Sequence, residues 1–135
     1  MSDLKYRCVL FCEDIRQETG GRVSLMGVLG ARLYVQEFPL MFPKFCLFVE
    51  WGELTGKFQV RLNIIPPEGV SVPRVNPTAQ IQGQPGLIAR SMIVLNSFVF
   101  PAPGRYVFEF WADDVCVGSE PFVIEKFESP PKVTN

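Results

Sequence analysis

The chain has 135 residues, 47% of them apolar, and thirteen basic against fourteen acidic side chains leave a net charge of −1. That length suits one domain able to form a core without disulfide or metal staples, and so even a balance gives no electrostatic pull toward nucleic acid or an anionic membrane surface. With no histidine in the sequence, the commonest general base and the commonest transition-metal ligand are both missing.

The opening Met1-Ser2-Asp3-Leu4-Lys5 lacks the pattern of a signal peptide, because the apolar stretch Cys8 to Cys12 is short and runs straight into Glu13 and Asp14. No stretch reaches the ~20 apolar residues of a membrane-spanning helix. The expected location is therefore the cytoplasm, where thiols stay reduced. Cysteines stand at 8, 12, 46 and 116, with no C-x-x-C. Two residues four apart on a strand share a face but lie about 13 Å from each other, so Cys8 and Cys12 cannot bridge. All four are expected to be small buried hydrophobes.

In chain order, Tyr6 to Ile15 reads as a first strand, Thr19-Gly20-Gly21 as a turn, and Arg22 to Val28 as a second strand completing a hairpin. Gly27 and Gly30 mark a bulge or a crossing between sheets. Phe38-Pro39-Leu40-Met41-Phe42-Pro43 reads as a loop, since two prolines argue against a central strand. Phe45 to Trp51, almost wholly apolar, reads as a strand covered on both faces. Residues 52–56 turn the chain into a strand from Lys57 to Ile65, where Phe58 to Ile64 alternates apolar and polar without exception. Pro66-Pro67-Glu68-Gly69 ends that strand, and the turn-rich stretch up to Gly86 leaves room for one short strand near Thr78 to Gln82. Leu87 to Leu95 also fits a short helical face, but Ile93-Val94 favour a strand. A turn at Pro101-Ala102-Pro103-Gly104 precedes a strand from Arg105 to Ala112. Asp113-Asp114 is a two-residue loop into a last strand, Val115 to Phe127.

Roughly seven to nine short strands with regularly spaced turns predict an all-β antiparallel sandwich or barrel. Residues 1–128 are expected to form the single domain, with 129–135 as a C-terminal tail. Gly104-x-Tyr106 after a turn has the form of a tyrosine corner, and Phe108 stands where an antibody domain places its disulfide cysteine. Trp51 is a candidate core tryptophan. These features favour an immunoglobulin-like sandwich.

Cys12-Glu13-Asp14-Ile15-Arg16-Gln17-Glu18, followed by Gly20-Gly21-Arg22-Val23-Ser24-Leu25-Met26-Gly27-Val28, resembles the opening of an uncharacterised group of small bacterial proteins. Its members begin C-acid-D-hydrophobic-R and continue through a G-K/R-hydrophobic-S segment. Gly104-x-Tyr106 and Pro121-Phe122-Val123-Ile124 also resemble that group, so the likeness spans nearly the whole chain. It implies a small cytoplasmic sandwich of unknown function and assigns no catalytic residue.

Chemistry is sparse. The serines lack a histidine base, no G-x-S-x-G occurs, and no glycine-rich loop leads into a helix, so no catalytic residue and no cofactor are expected. The densest charge group is Glu13, Asp14, Arg16 and Glu18. In one reading Glu13 and Asp14 join Asp113 and Asp114 around Ca²⁺, which wants six to eight oxygens. In a second, this is a solvated strand end with a weak surface ion pair, and in a third, Arg16 forms a buried pair that fixes the hairpin. Phe38, Leu40, Met41 and Phe42 are the candidate partner-binding residues, because exposed methionine beside aromatics suits an adaptable docking surface. The competing reading folds that segment over the open end of the sandwich. The expectation is a non-enzymatic interaction or assembly module that binds another protein or itself through this segment or an edge strand, and engages neither nucleic acid nor membrane. The alternative is a small-ligand or calcium-binding module.

Overall fold

The structure, a computed structural model, describes residues 4–73 and 77–127. The tail expected at 129–135 lies outside the described residues. Within them the chain is all-β, with nine strands, one single-turn 3-10 helix at Thr19–Gly21 and no α-helix. One sheet contains β1 (Cys8–Gln17), β2 (Val23–Leu29), β4 (Leu40–Glu53) and β7 (Ile88–Phe100), in the order β2-β1-β4-β7. The second contains β3 (Arg32–Val35), β5 (Gly56–Ile65), β6 (Thr78–Gly83), β8 (Gly104–Ala112) and β9 (Val115–Lys126), in the order β3-β9-β8-β5-β6. Neighbours run antiparallel except β3 and β9, which are parallel.

The period-two rule decides what lies between the sheets. On β8 the alternate residues Tyr106, Phe108, Phe110 and Ala112 are buried, while Val107, Glu109 and Trp111 between them are less so. Phe45 of β4 meets rings from both layers, with centroids 5.7 Å from Phe11, 5.1 Å from Phe100, 5.7 Å from Phe108 and 5.3 Å from Phe122. Stacked, tilted and edge-on contacts of this kind are the arrangements that aromatic rings favour, and each fully buried Phe contributes roughly 1.5–3 kcal/mol. Trp51 is in the same core, its Nε1–H donating to Ser91 Oγ at 2.8 Å. Tyr106 is fully buried, and its hydroxyl donates to the Ala102 carbonyl at 2.6 Å, which ties the β7–β8 connection to the start of β8.

Three sequence expectations change. Of residues 38–43 only Phe38 and Pro39 lie outside a strand: β4 begins at Leu40 and pairs with β7 through Leu40↔Phe100, Met41↔Val99 and Phe42↔Phe98. Pro43 is tolerated because β1 pairs with β4 only as far as Cys12↔Cys46, leaving the first residues of β4 paired on one side. Opposite Pro43, Ser97 has φ 51°, and the ladder passes from Phe42↔Phe98 to Lys44↔Asn96. The sequence pattern also missed β3, whose four residues are too few to show a period. Finally, of the two roles foreseen for Gly27 and Gly30 only the crossing is seen. Gly30 lies between β2 in one sheet and β3 in the other, whereas Gly27 has φ 65° opposite Glu13 with the β1–β2 register unchanged across it, so it marks no bulge.

Candidate functional site

β1 turns away from β4 after Cys12, and its hairpin with β2 carries Asp14 toward Lys44 (Oδ1–Nζ 3.5 Å) and Gln17 toward Met92 of β7 (Nε2–Sδ 3.8 Å). The hairpin therefore reaches over the outer face of its own sheet. It covers Cys12 and Cys46, which are opposite each other across the β1–β4 ladder and fully buried as free thiols. Burial, and next the neighbouring Cys46 thiol, push Cys12 up to about 11. Burial raises Cys46 as well. Both thiols are thus neutral near pH 7, which makes them packing groups and poor nucleophiles.

The same divergence opens a groove of about 520 Å³ beside the start of β4, lined by Glu13, Asp14, Met26, Leu40, Met41, Phe42, Pro43 and Lys44. It unites most of the residues singled out in the sequence. Met41 is 55% exposed, whereas Phe42 is only 7% exposed and packs on Phe45 and Phe100 at 5.2 and 5.9 Å. Phe42 therefore belongs to the core, and as a surface for a partner it is a correction to the sequence reading. Leu40 and Phe38 are half-buried against the core, and the Phe38–Pro39 bond is cis. Asp14 accepts the Ile15 N–H at 2.9 Å, while Glu13 is exposed and has no ion pair among the described residues. Sequence reasoning missed Met26 and Lys44. The predicted hairpin held the signal for Met26, since Asp14↔Met26 is one of its register pairs.

Asp113 and Asp114 are elsewhere, in the β8–β9 turn, with φ 47° and 68° as a tight hairpin turn requires. The Asp113 carboxylate accepts the Gln59 N–H and the Asp113 N–H donates to the Gln59 carbonyl, both at 3.1 Å, so its role is to tie the turn to β5. The two turn aspartates line a separate pocket of about 320 Å³ with Gln59, Arg61, Thr78 and Trp111, in which the Arg61 guanidinium lies 5.1 Å over the indole. The four acids of the calcium reading therefore do not meet. Among the described residues no three Asp, Glu, Cys or His side chains form a metal-binding group. Arg16 is exposed opposite Ser24 and makes no ion pair among the described residues, which corrects both pairing expectations for it. A third hollow, about 690 Å³, lies between the hairpin tip (Glu18, Arg22) and Phe48 and Arg90.

No helix among the described residues is long and apolar enough to cross a membrane. A comparison with curated proteins finds no match. Residues 7–125 match a family of unknown function (DUF6941), and the chain belongs to that family.

Proposed function

We propose that this member of a family of unknown function is a non-enzymatic interaction module that receives a segment of another protein in the groove beside Leu40–Lys44. The observation that carries the reading is the pairing of β4: residues 40–44 bond to β7 on one side, and β1 has left the other side open. An unpaired strand edge flanked by the exposed Met41 and by Met26 offers main-chain hydrogen bonds together with an adaptable apolar surface. Glu13 at its rim favours a partner segment with a basic side chain.

The reading extends to the type of fold. An immunoglobulin-like topology is supported by the parallel β3–β9 pair at a sheet edge and by the Tyr106–Ala102 hydrogen bond at the corner between the sheets. A cytoplasmic, bacterial setting agrees with the buried thiols Cys12 and Cys46 and with the resemblance of the opening motif.

The test is capture from source-cell lysate with the tagged protein and, in parallel, its Met41→Asp variant. One protein recovered near stoichiometry by the parent and lost by the variant is the expected result. Equal recovery by both would remove the groove from the reading.

A further inference from the structure

β7 is an edge strand, with β6 of the other sheet close by but no strand hydrogen-bonded to its far side. Edges are normally blunted by shortness, bulges, proline, lysine or a covering segment. The other three edges are short or interrupted: β3 has four residues, β6 has six, and β2 has Gly27 at positive φ. β7 runs for 13 residues with no proline, glycine or lysine in it, and its one residue at positive φ, Ser97, lies beyond residues 88–94. Among the described residues no backbone or side-chain group hydrogen-bonds its far edge. The hairpin approaches it over the face, through Gln17 beside Met92 and through the hollow that its tip shares with Arg90. Around its start the surface is apolar: Leu87 is 58%, Ile88 44% and Val94 43% exposed.

We infer that β7 pairs antiparallel with β7 of a second copy of this chain, about a twofold axis at Ser91. The sequence of the strand is self-complementary about that residue. Ile88 comes opposite Val94 of the other copy, so the two exposed β-branched side chains cover each other on the outer face. Arg90 comes opposite Met92. Arg90 is the one charged side chain on the strand; it shares Glu50 with Arg7 (3.7 and 3.6 Å), and the register sets it opposite the neutral Met92 rather than opposite the other copy's Arg90. Ser91 faces inward to Trp51 and leaves the axis free of bulk. Pairing over residues 88–94 would span about 20 Å of backbone and run one continuous sheet through both copies.

The experiment measures the mass of the full chain in solution by light scattering, with far-UV circular dichroism on every variant. The parent is expected at twice its 15.2 kDa, and Val94→Lys at the single-chain mass with an unchanged spectrum. Met41→Asp is expected to keep the doubled mass, which separates this edge from the groove. A chain carrying Cys116→Ser, Ile88→Cys and Val94→Cys should form a covalent dimer on mild oxidation, because the paired register puts the new thiols opposite each other. That cross-link also decides the matter if Val94→Lys does not fold. A parent at the single-chain mass throughout the micromolar range would overturn the inference. So would a doubled mass that survives Val94→Lys, or one abolished by Met41→Asp.

Discussion

Adjacent residues 41 and 42 show how the pleat separates two roles. Met41 points to water and Phe42 into the core, so substitutions at the two positions differ widely in their cost to stability. Phe42→Ala should lower the unfolding free energy in urea by about 3–5 kcal/mol, as expected for removing a buried ring. Met41→Asp should shift it by less than about 0.5 kcal/mol. Tyr106 is a third informative residue. Tyr106→Phe removes the donor to the Ala102 carbonyl but keeps the ring, and should cost about 1–3 kcal/mol in the same titration. Titration adds a pH dependence. Burial, followed by the neighbouring Glu120, raises Tyr6 from 10.0 to about 12, and burial raises Cys12 from 9.0 to about 11. In the unfolded chain both groups lose their protons at the lower values. Their contribution is complete below about pH 9 and is lost as the pH rises through 11 to 12. The melting temperature should therefore fall above pH 9, and Cys12→Ala should flatten the early part of that fall. Under native conditions at pH 7 a thiol reagent should modify exposed Cys116 first and leave Cys12 and Cys46 untouched until unfolding.

Among the elements, the β1–β2 hairpin and the β6–β7 corner depend on positions where a side chain does not fit. At Gly27 the backbone is left-handed, which strains any side chain, and a Cβ there would come 2.8 Å from the Glu13 carboxylate. At Gly83 a Cβ would come 2.1 Å from the Leu54 carbonyl oxygen, which is backbone and cannot step aside. Gly83→Ala should therefore destabilise the protein by about 1–3 kcal/mol, visible in thermal unfolding, through displacement of β6 from the β4–β5 turn. The strands themselves follow their sequence signals unevenly. Phe58 to Ile64 alternates cleanly because β5 has one face on the core and the other in water. Phe45 to Val49 does not alternate because β4 has the core on one face and the overlying hairpin on the other, so all five residues are buried.

For the whole molecule, the two open strand edges give two independent surfaces. The groove beside Leu40–Lys44 is open because β1 leaves β4, while β7 is open because nothing in the described chain pairs with its far side. A variant at Met41 should affect partner recovery with the mass unchanged, and one at Val94 should affect the mass with recovery unchanged. The near-even charge balance leaves little self-repulsion to oppose pairing of two copies.

What the sequence determined by itself is local. Period two, turn residues and the Gly104-x-Tyr106 corner are written in neighbouring positions, so the all-β class, most of the strands and the Asp113-Asp114 turn could be read directly. Tertiary structure alone decided which segments meet. Leu40 to Pro43 looked like a loop because proline is excluded from a central strand, and only the departure of β1 made that stretch a one-sided strand. Glu13 and Asp14 could not be assigned to the groove or to Asp113 and Asp114 from spacing, since the pairing order β2-β1-β4-β7 sends the first pair to one sheet and the second to the other. Burial of Phe42 and exposure of Met41 follow from register, which depends on hydrogen bonds to a strand more than fifty residues away in sequence.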